Sequence, residues 1–235
     1  MISQQRLALT CVALALVSLP LFALAEGKPK WEEITRDKGV LVQKKEIPGQ
    51  DLPAFRGIAT IKASVFDVLA VLDDTPRLTE WMHNCTGSKT VEAINDFERV
   101  TYNRTDAPWP VSDRDVVVRS KVSINAKRKI VTIRFSSINH AKMPEVEDVV
   151  RMPRLRGHYK LKILDENKTR VEYMVEANPG GSLPTWLVAK ASEELPLQTL
   201  VNLRKQVKKT KGKYPSFVNK WDPEKGGHLP AEIMK

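Results

Sequence analysis

Asn178-Pro179-Gly180-Gly181-Ser182-Leu183-Pro184-Thr185-Trp186-Leu187-Val188 marks the point where the chain changes its period. A proline followed by two glycines breaks whatever element precedes it. Ser182 is a good N-cap, and Pro184 falls in a first turn, where proline is tolerated. From there Leu183, Trp186, Leu187, Ala191, Leu195, Leu200, Leu203 and Val207 recur at helical spacing. The pattern predicts one helix of about 25 residues ending near Lys208, close to 38 Å long at ~1.5 Å per residue. Pro196 lies inside it and predicts a kink.

Upstream of that break the period is two. Val116, Val118, Ser120, Val122 and Ile124 alternate with Asp115, Val117, Arg119, Lys121 and Ser123. Val131, Ile133 and Phe135 alternate with Thr132 and Arg134; Tyr159, Leu161 and Ile163 with His158, Lys160 and Lys162; Val171, Tyr173 and Val175 with Arg170, Glu172 and Glu176. Val100 and Tyr102 alternate with Thr101 and Asn103 in the same way. Nearer the start, Val40 to Ile47 and Ala54 to Lys62 read as two strands around a Pro48-Gly49-Gln50-Asp51 turn. Ser64, with Asp67 three residues on, opens a helix with a broad apolar face. Thr75 to Met82 reads as a second, short helix. Strands with one wet and one dry face form an antiparallel sheet, whose dry face must be covered. The long C-terminal helix can cross about six strands at ~4.8 Å each. The fold class is therefore α+β, an antiparallel sheet covered by one C-terminal helix. Residues 210–235 read as a polar tail.

The first 25 residues stand apart. Arg6 is the only charge before Glu26, an apolar run follows it, and Ala23-Leu24-Ala25 closes the run with a small-residue exit. That order predicts a secretory signal peptide over residues 1–25 and a periplasmic destination. Its removal would take Cys11 and leave Cys85 as the only cysteine, so no internal disulfide is expected. The formal net charge of +10 needs an anionic partner or none. For a secreted chain the lysines at 205, 208, 209, 211 and 213 point to an anionic membrane surface rather than nucleic acid, or simply to a helix C-terminus.

Much chemistry is missing. There is no glycine-rich phosphate loop, no H-E-x-x-H, no C-x-x-C and no G-x-S-x-G. The four histidines are scattered singly, so no metal or cofactor is expected. Asp113-Arg114-Asp115 could be an acid/base pair, but reads better as a clasp between a loop and a strand start.

Three segments in order carry a resemblance. Trp109-Pro110-Val111-Ser112-Asp113-Arg114-Asp115 runs into Val116-Val117-Val118, Met143-Pro144-Glu145 leads to Val149-Val150-Arg151, and Asn178 to Val188 opens the last helix. They resemble the START (lipid-transfer) domain family over roughly 31–209. The resemblance implies a helix-grip fold, a sheet curved around the last helix with a lipid tunnel between them. By strand parity the tunnel would be lined by Tyr102, Val116, Val118, Ser120, Phe135, Met143, Tyr159, Tyr173, Leu183, Leu187 and Ala191. Its mouth would lie between residues 138–147 and 183–187, with Trp109 and Trp186 at a membrane interface. Some sterol-binding members carry a charged pair deep in the tunnel. Here that strand reads Val116, Val118, Ser120, Val122 inward and places Arg119 outward, so no such anchor is expected.

The expected function is to bind a lipid or other hydrophobic small molecule and carry it, as a monomer in transient contact with membranes, without catalysis. The alternative is a helix-grip cyclase or hydrolase on an aromatic or polyketide-like substrate, with Tyr102, Tyr159, Tyr173 and Arg151 as candidate acid/base groups. A third reading is an interaction domain with a dry core, which a cavity below about 300 Å³ would favour.

Overall fold

A computed structural model describes residues 30–234. The expected signal peptide lies outside the described residues. Ten strands form one sheet: β1 (Glu32–Asp37), β2 (Val40–Lys45), β3 (Ala54–Ile61), β4 (Cys85–Asn95), β5 (Glu98–Thr105), β6 (Asp113–Asn125), β7 (Ile130–Ser137), β8 (Val149–Arg151), β9 (Arg154–Asp165) and β10 (Lys168–Asn178). Their order is β1-β2-β3-β10-β9-β7-β6-β5-β4, and every pair on that path is antiparallel. The short β8 runs parallel to the start of β6. Helices α1 (Val65–Asp73), α2 (Thr185–Thr210) and α3 (Pro215–Trp221) complete the fold, with a 3₁₀ turn over Thr75–Glu80. The architecture is the α+β arrangement that the two periods imply.

Local chemistry explains the elements. The Ser64 hydroxyl accepts from the Asp67 amide at 3.1 Å and donates to its carboxylate at 2.7 Å, closing the N-terminus of α1. Helix α2 begins at Thr185, two residues later than an N-cap at Ser182 would place it; Pro184 caps it without a side-chain bond. Its backbone remains helical through Pro196 to Thr210. Among the described residues, the buried side chains of α2 start at that proline, and the apolar ones continue at Leu197, Leu200, Val201, Leu203 and Val207. Those residues pack against Val40, Val42, Val68 and Leu69 in the main core. A Cβ on Gly57 would stand 2.8 Å from Leu200 Cδ1 and 3.0 Å from the Pro196 carbonyl, so only glycine lets α2 lie this close to β3. Arg204 donates to the Lys38 carbonyl at 2.8 Å, and Gln206 to Glu80 at 3.0 Å, tying the second half of α2 to the β1–β2 turn and the 3₁₀ turn.

The C-terminal segment is not a polar tail. Helix α3 packs on α1, and Trp221 (1% exposed), Leu229 and Ile233 join the main core. Phe97 meets Trp221 edge-on with ring centroids 5.6 Å apart. Lysines and glycines surround these three apolar side chains in the sequence and mask them in any composition average.

Truncating Trp221 to Ala will therefore lower the unfolding free energy by about 3–5 kcal/mol, as for a large core aromatic. Trp221→Phe will lose less, because the buried indole N–H has no partner to lose. Urea unfolding of the two variants measures this; a tail residue would change stability by no more than about 0.5 kcal/mol.

Candidate ligand-binding cavity

A cavity of about 610 Å³ lies between the inner face of the sheet and the first half of α2. Strand register builds its floor. Arg99 stands opposite Ser120, Ser120 opposite Phe135, Phe135 opposite Gly157, and Gly157 opposite Val175, a row across five strands on one face. A second row joins Ile133, Tyr159 and Tyr173. A Cβ on Gly157 would sit 2.1 Å from the Met174 carbonyl and 2.6 Å from Phe135 Cζ, so the Phe135 ring lies over bare backbone there. Tyr159 and Tyr173 stack at 4.6 Å with 17° between their planes. Leu72, Leu78, Trp81 and Met82 close one end, and Leu183, Leu187, Val188, Ala191 and Leu195 of the α2 segment form the roof.

One wall is polar. Strand β5 turns Arg99, Thr101, Asn103 and Thr105 inward. Its apolar residues face the other way: Val100 is buried with Val117 and Met143 under a second small cluster, against which Tyr102, Ile138 and Val91 pack. Bidentate pairing fixes that outer cluster. Arg151 donates to both Asp115 oxygens at 2.6 and 3.0 Å, and to the Met143 and Pro144 carbonyls at 3.1 and 3.0 Å. Asp115 thus clasps the 143–151 segment to β6, the structural reading of the Asp113-Arg114-Asp115 run.

Of the residues expected at the tunnel wall, Val116, Val118, Ser120, Phe135, Tyr159, Tyr173, Leu183, Leu187 and Ala191 line the cavity. Tyr102 and Met143 do not; they belong to the outer cluster, because on β5 the apolar face is covered by the 138–151 segment and the polar face is the inner one. For the same reason residues 138–147 do not form the mouth. The rim opposite α2 is made by Leu52 and Pro53, by Met82 to Asn84, and by Thr105 to Pro108. Trp109, next to that rim, is 91% exposed, and Trp186 on α2 is 55% exposed.

The sequence reading missed the charges in the wall. Arg119 points outward and pairs with Glu98 at 2.6 Å, as expected. Arg99 points inward, contacts the Asp73 carboxylate and donates to the Asp73 carbonyl at 2.7 Å. Burial pulls the Arg99 pKa down to about 10, still protonated at neutral pH. A buried cation therefore lines the cavity after all, Arg99 on β5, paired with Asp73 of α1; the signal for it was the shared parity of Arg99 with Thr101 and Asn103. At the rim, Glu194 lies 3.8 Å from His83 and 4.0 Å from Lys190. Burial lowers the His83 pKa, with Glu194 opposing, so the imidazole is neutral at pH 7. Burial raises both inner phenols, Tyr159 and Tyr173, well above the ordinary tyrosine value.

The sequence profile of the START domain family matches residues 18–213. This chain belongs to the START domain family. An uncharacterized protein of Pseudomonas aeruginosa is 33% identical over 203 residues, covering 86% of this chain and 98% of that one. Mouse phosphatidylcholine transfer protein is 29% identical over 104 residues, 43% of this chain and 49% of that protein. Among solved structures, a STAR-related lipid transfer protein fragment from Xanthomonas axonopodis is 32% identical, covers 76% of this chain and 98% of its own, and superposes with a TM-score of 0.69. The START fold accounts for the long helix over the sheet.

Raised phenol pKa values have a direct readout. In a spectrophotometric titration of this START domain, Tyr159→Phe and Tyr173→Phe will leave the native curve unchanged up to about pH 11, since neither phenol ionises there before the fold opens. A variant that removes a step near pH 10 would show that phenol to be solvated and available as a base.

Proposed function

We propose that the protein binds a lipid in the cavity under α2 and carries it between membranes or to a partner, as a monomer and without catalysis. The observation that carries this reading is the 610 Å³ hollow roofed by a segment bounded by Gly180-Gly181 on one side and Pro196 on the other. Both glycines hold positive φ, +67° and +62°, and Pro196 offers no N–H to the preceding turn. The roof between these two points makes few buried contacts, whereas the helix beyond Pro196 is seated in the core. Such a segment can lift while the rest of α2 stays in place.

Energetics favour exchange over storage. A buried chain gains ~0.8 kcal/mol per CH₂ relative to water, in the cavity as in a bilayer, so movement between the two is near balance. What the cavity removes is the cost of crossing water, about 10 kcal/mol for a 14-carbon chain. Trp109, next in the chain to the rim residue Pro108, and Trp186, next to the roof residue Leu187, are both exposed and suit the headgroup region of a membrane. The names of the relatives from Xanthomonas axonopodis and mouse, both lipid transfer proteins, support the same class of ligand.

The cyclase or hydrolase reading finds less support. Tyr102 and Arg151 lie outside the cavity, and the inner Tyr159 and Tyr173 are neutral phenols without a base beside them. The volume exceeds the ~300 Å³ below which a dry core would be favoured. The signal segment supports a periplasmic location.

Protein purified from its own host will release a lipid on organic extraction, identified by mass spectrometry; an empty extract together with no transfer between liposomes would refute carriage. Val118→Trp places a ring in the hollow, and will reduce transfer at least about tenfold while leaving the unfolding midpoint within ~1 kcal/mol of wild type. A filled core would instead lose about 1–3 kcal/mol to the same overpacking. Trp109→Ala and Trp186→Ala will each weaken vesicle binding several-fold without altering stability. Cell fractionation tests the location: the mature chain will appear in the periplasm, shorter than the full sequence by the mass of residues 1–25.

A further inference from the structure

The cations at the cavity are compensated, with one exception among the described residues. Arg99 has Asp73, and Lys190 has Glu194. Arg114 has no carboxylate within ion-pair distance among the described residues: the acid that influences it is its neighbour Asp113, already bound to Arg104 at 2.7 Å. Arg114 is nevertheless 7% exposed and lines the cavity. It donates to the Ser112 carbonyl at 2.5 Å and to the Gly180 carbonyl at 3.2 Å, and its buried Nε has no partner. A guanidinium carries five N–H donors in a fixed fork, so more than half remain unused. Leaving a buried cation without a counter-charge is costly, and a bound anion removes that cost.

The surroundings suit an oxyanion. Arg114 also borders a second pocket, of about 370 Å³, whose other walls are Pro110 to Ser112, Val150, Gly181, Ser182 and Pro184. Pro184 is the N-cap of α2, and no side chain caps that end of the helix. The positive end of a 26-residue helix therefore faces the same side pocket. The guanidinium stands where the greasy cavity and this outlet meet.

We propose that Arg114 anchors the ligand, taking a carboxylate or phosphate headgroup at the α2 end while the hydrocarbon lies on Phe135, Tyr159 and Tyr173. The ligand class is thus an anionic amphiphile. This rests on the carrier reading above and narrows it. The same guanidinium holds the Gly180 carbonyl at the start of the roof, so headgroup and roof share one anchor.

The test compares matched probes in the full-length mature protein: oleate against oleyl alcohol, dioleoylphosphatidate against dioleoylglycerol, and inorganic phosphate alone. Wild type will bind each anionic probe at least about tenfold more tightly than its uncharged partner, the size of one charge-assisted bond. Arg114→Gln will lose that preference yet still bind the uncharged probes, and Arg114→Lys, which keeps the charge, will retain part of it. Equal binding of charged and uncharged probes by wild type, or a preference that survives in Arg114→Gln, overturns the anchor and leaves carriage standing. Should Arg114→Gln not fold, the wild-type comparison and the lysine variant decide. Failure of all four amphiphiles to bind wild type overturns carriage and anchor together. Binding of inorganic phosphate without any lipid binding reassigns Arg114 to a free anion and overturns the headgroup proposal.

Discussion

The contact of α2 with Gly57 governs the rest of the molecule. At that glycine the helix comes within side-chain-free distance of β3, and Leu200 and Pro196 occupy the space a Cβ would need. Arg204 and Gln206 lock the same half of the helix to the β1–β2 turn and to Glu80. A helix of 26 residues seated by its second half must project its first half over the remaining strands. The sheet continues beneath it through β9, β7, β6 and β5. A dry sheet face needs a cover, and here the cover is packed into the core at one end only, so a hollow forms under the other.

Sequence made the architecture legible because its two periods are clean. The alternation in β6, β7, β9 and β10 places Val118, Phe135, Tyr159 and Tyr173 on one face, and the register of the sheet keeps them there. Strand β5 defeats the same rule. Val100 and Tyr102 are its apolar side, so parity alone turns them inward; but this sheet has a second apolar cover, the 138–151 segment clasped by Arg151 and Asp115 on the outer face. Where both faces of a strand are covered, apolarity no longer says which face is the interior. The polar wall of the cavity was therefore invisible until the clasp was seen. The C-terminal segment was hidden for another reason: three buried side chains, Trp221, Leu229 and Ile233, are spread over thirteen residues with no regular period.

The division of α2 at Pro196 joins the fold to its use. Beyond the proline, burial and the bonds of Arg204 and Gln206 hold the helix; before it, a helix without a side-chain cap follows two glycines at positive φ. The opening proposed for the roof requires that it be weakly held, and the sequence weakens it by three means at once: a missing N-cap side chain, a missing N–H and a flexible entry. Arg114 is the counterweight. Its bond to the Gly180 carbonyl is a fixed point next to that entry, so the roof is hinged at both ends rather than loose.

The hollow also bears on stability. Residual cavity space in a core costs on the order of 24 cal/mol per Å³. For about 610 Å³ that scales to roughly 15 kcal/mol, as large as the whole stability of an ordinary domain. A sealed, dry void of this size would be untenable, and the cavity is open to solvent at its rim. Water can satisfy the Thr101, Asn103 and Arg99 side, because those groups offer it hydrogen bonds. It gains nothing from Ile133, Phe135 and Val175 on the other side, where only hydrocarbon restores the lost dispersion contacts. An amphiphile meets both walls at once, its chain on the aromatic floor and its polar end toward the wet one. Occupancy and folding are then linked, since a ligand that binds only the folded chain stabilises it in proportion to its concentration. The polarity of the cavity, split along the line between β5 and the aromatic rows, matches the amphiphile proposed above, a molecule that is itself split in two.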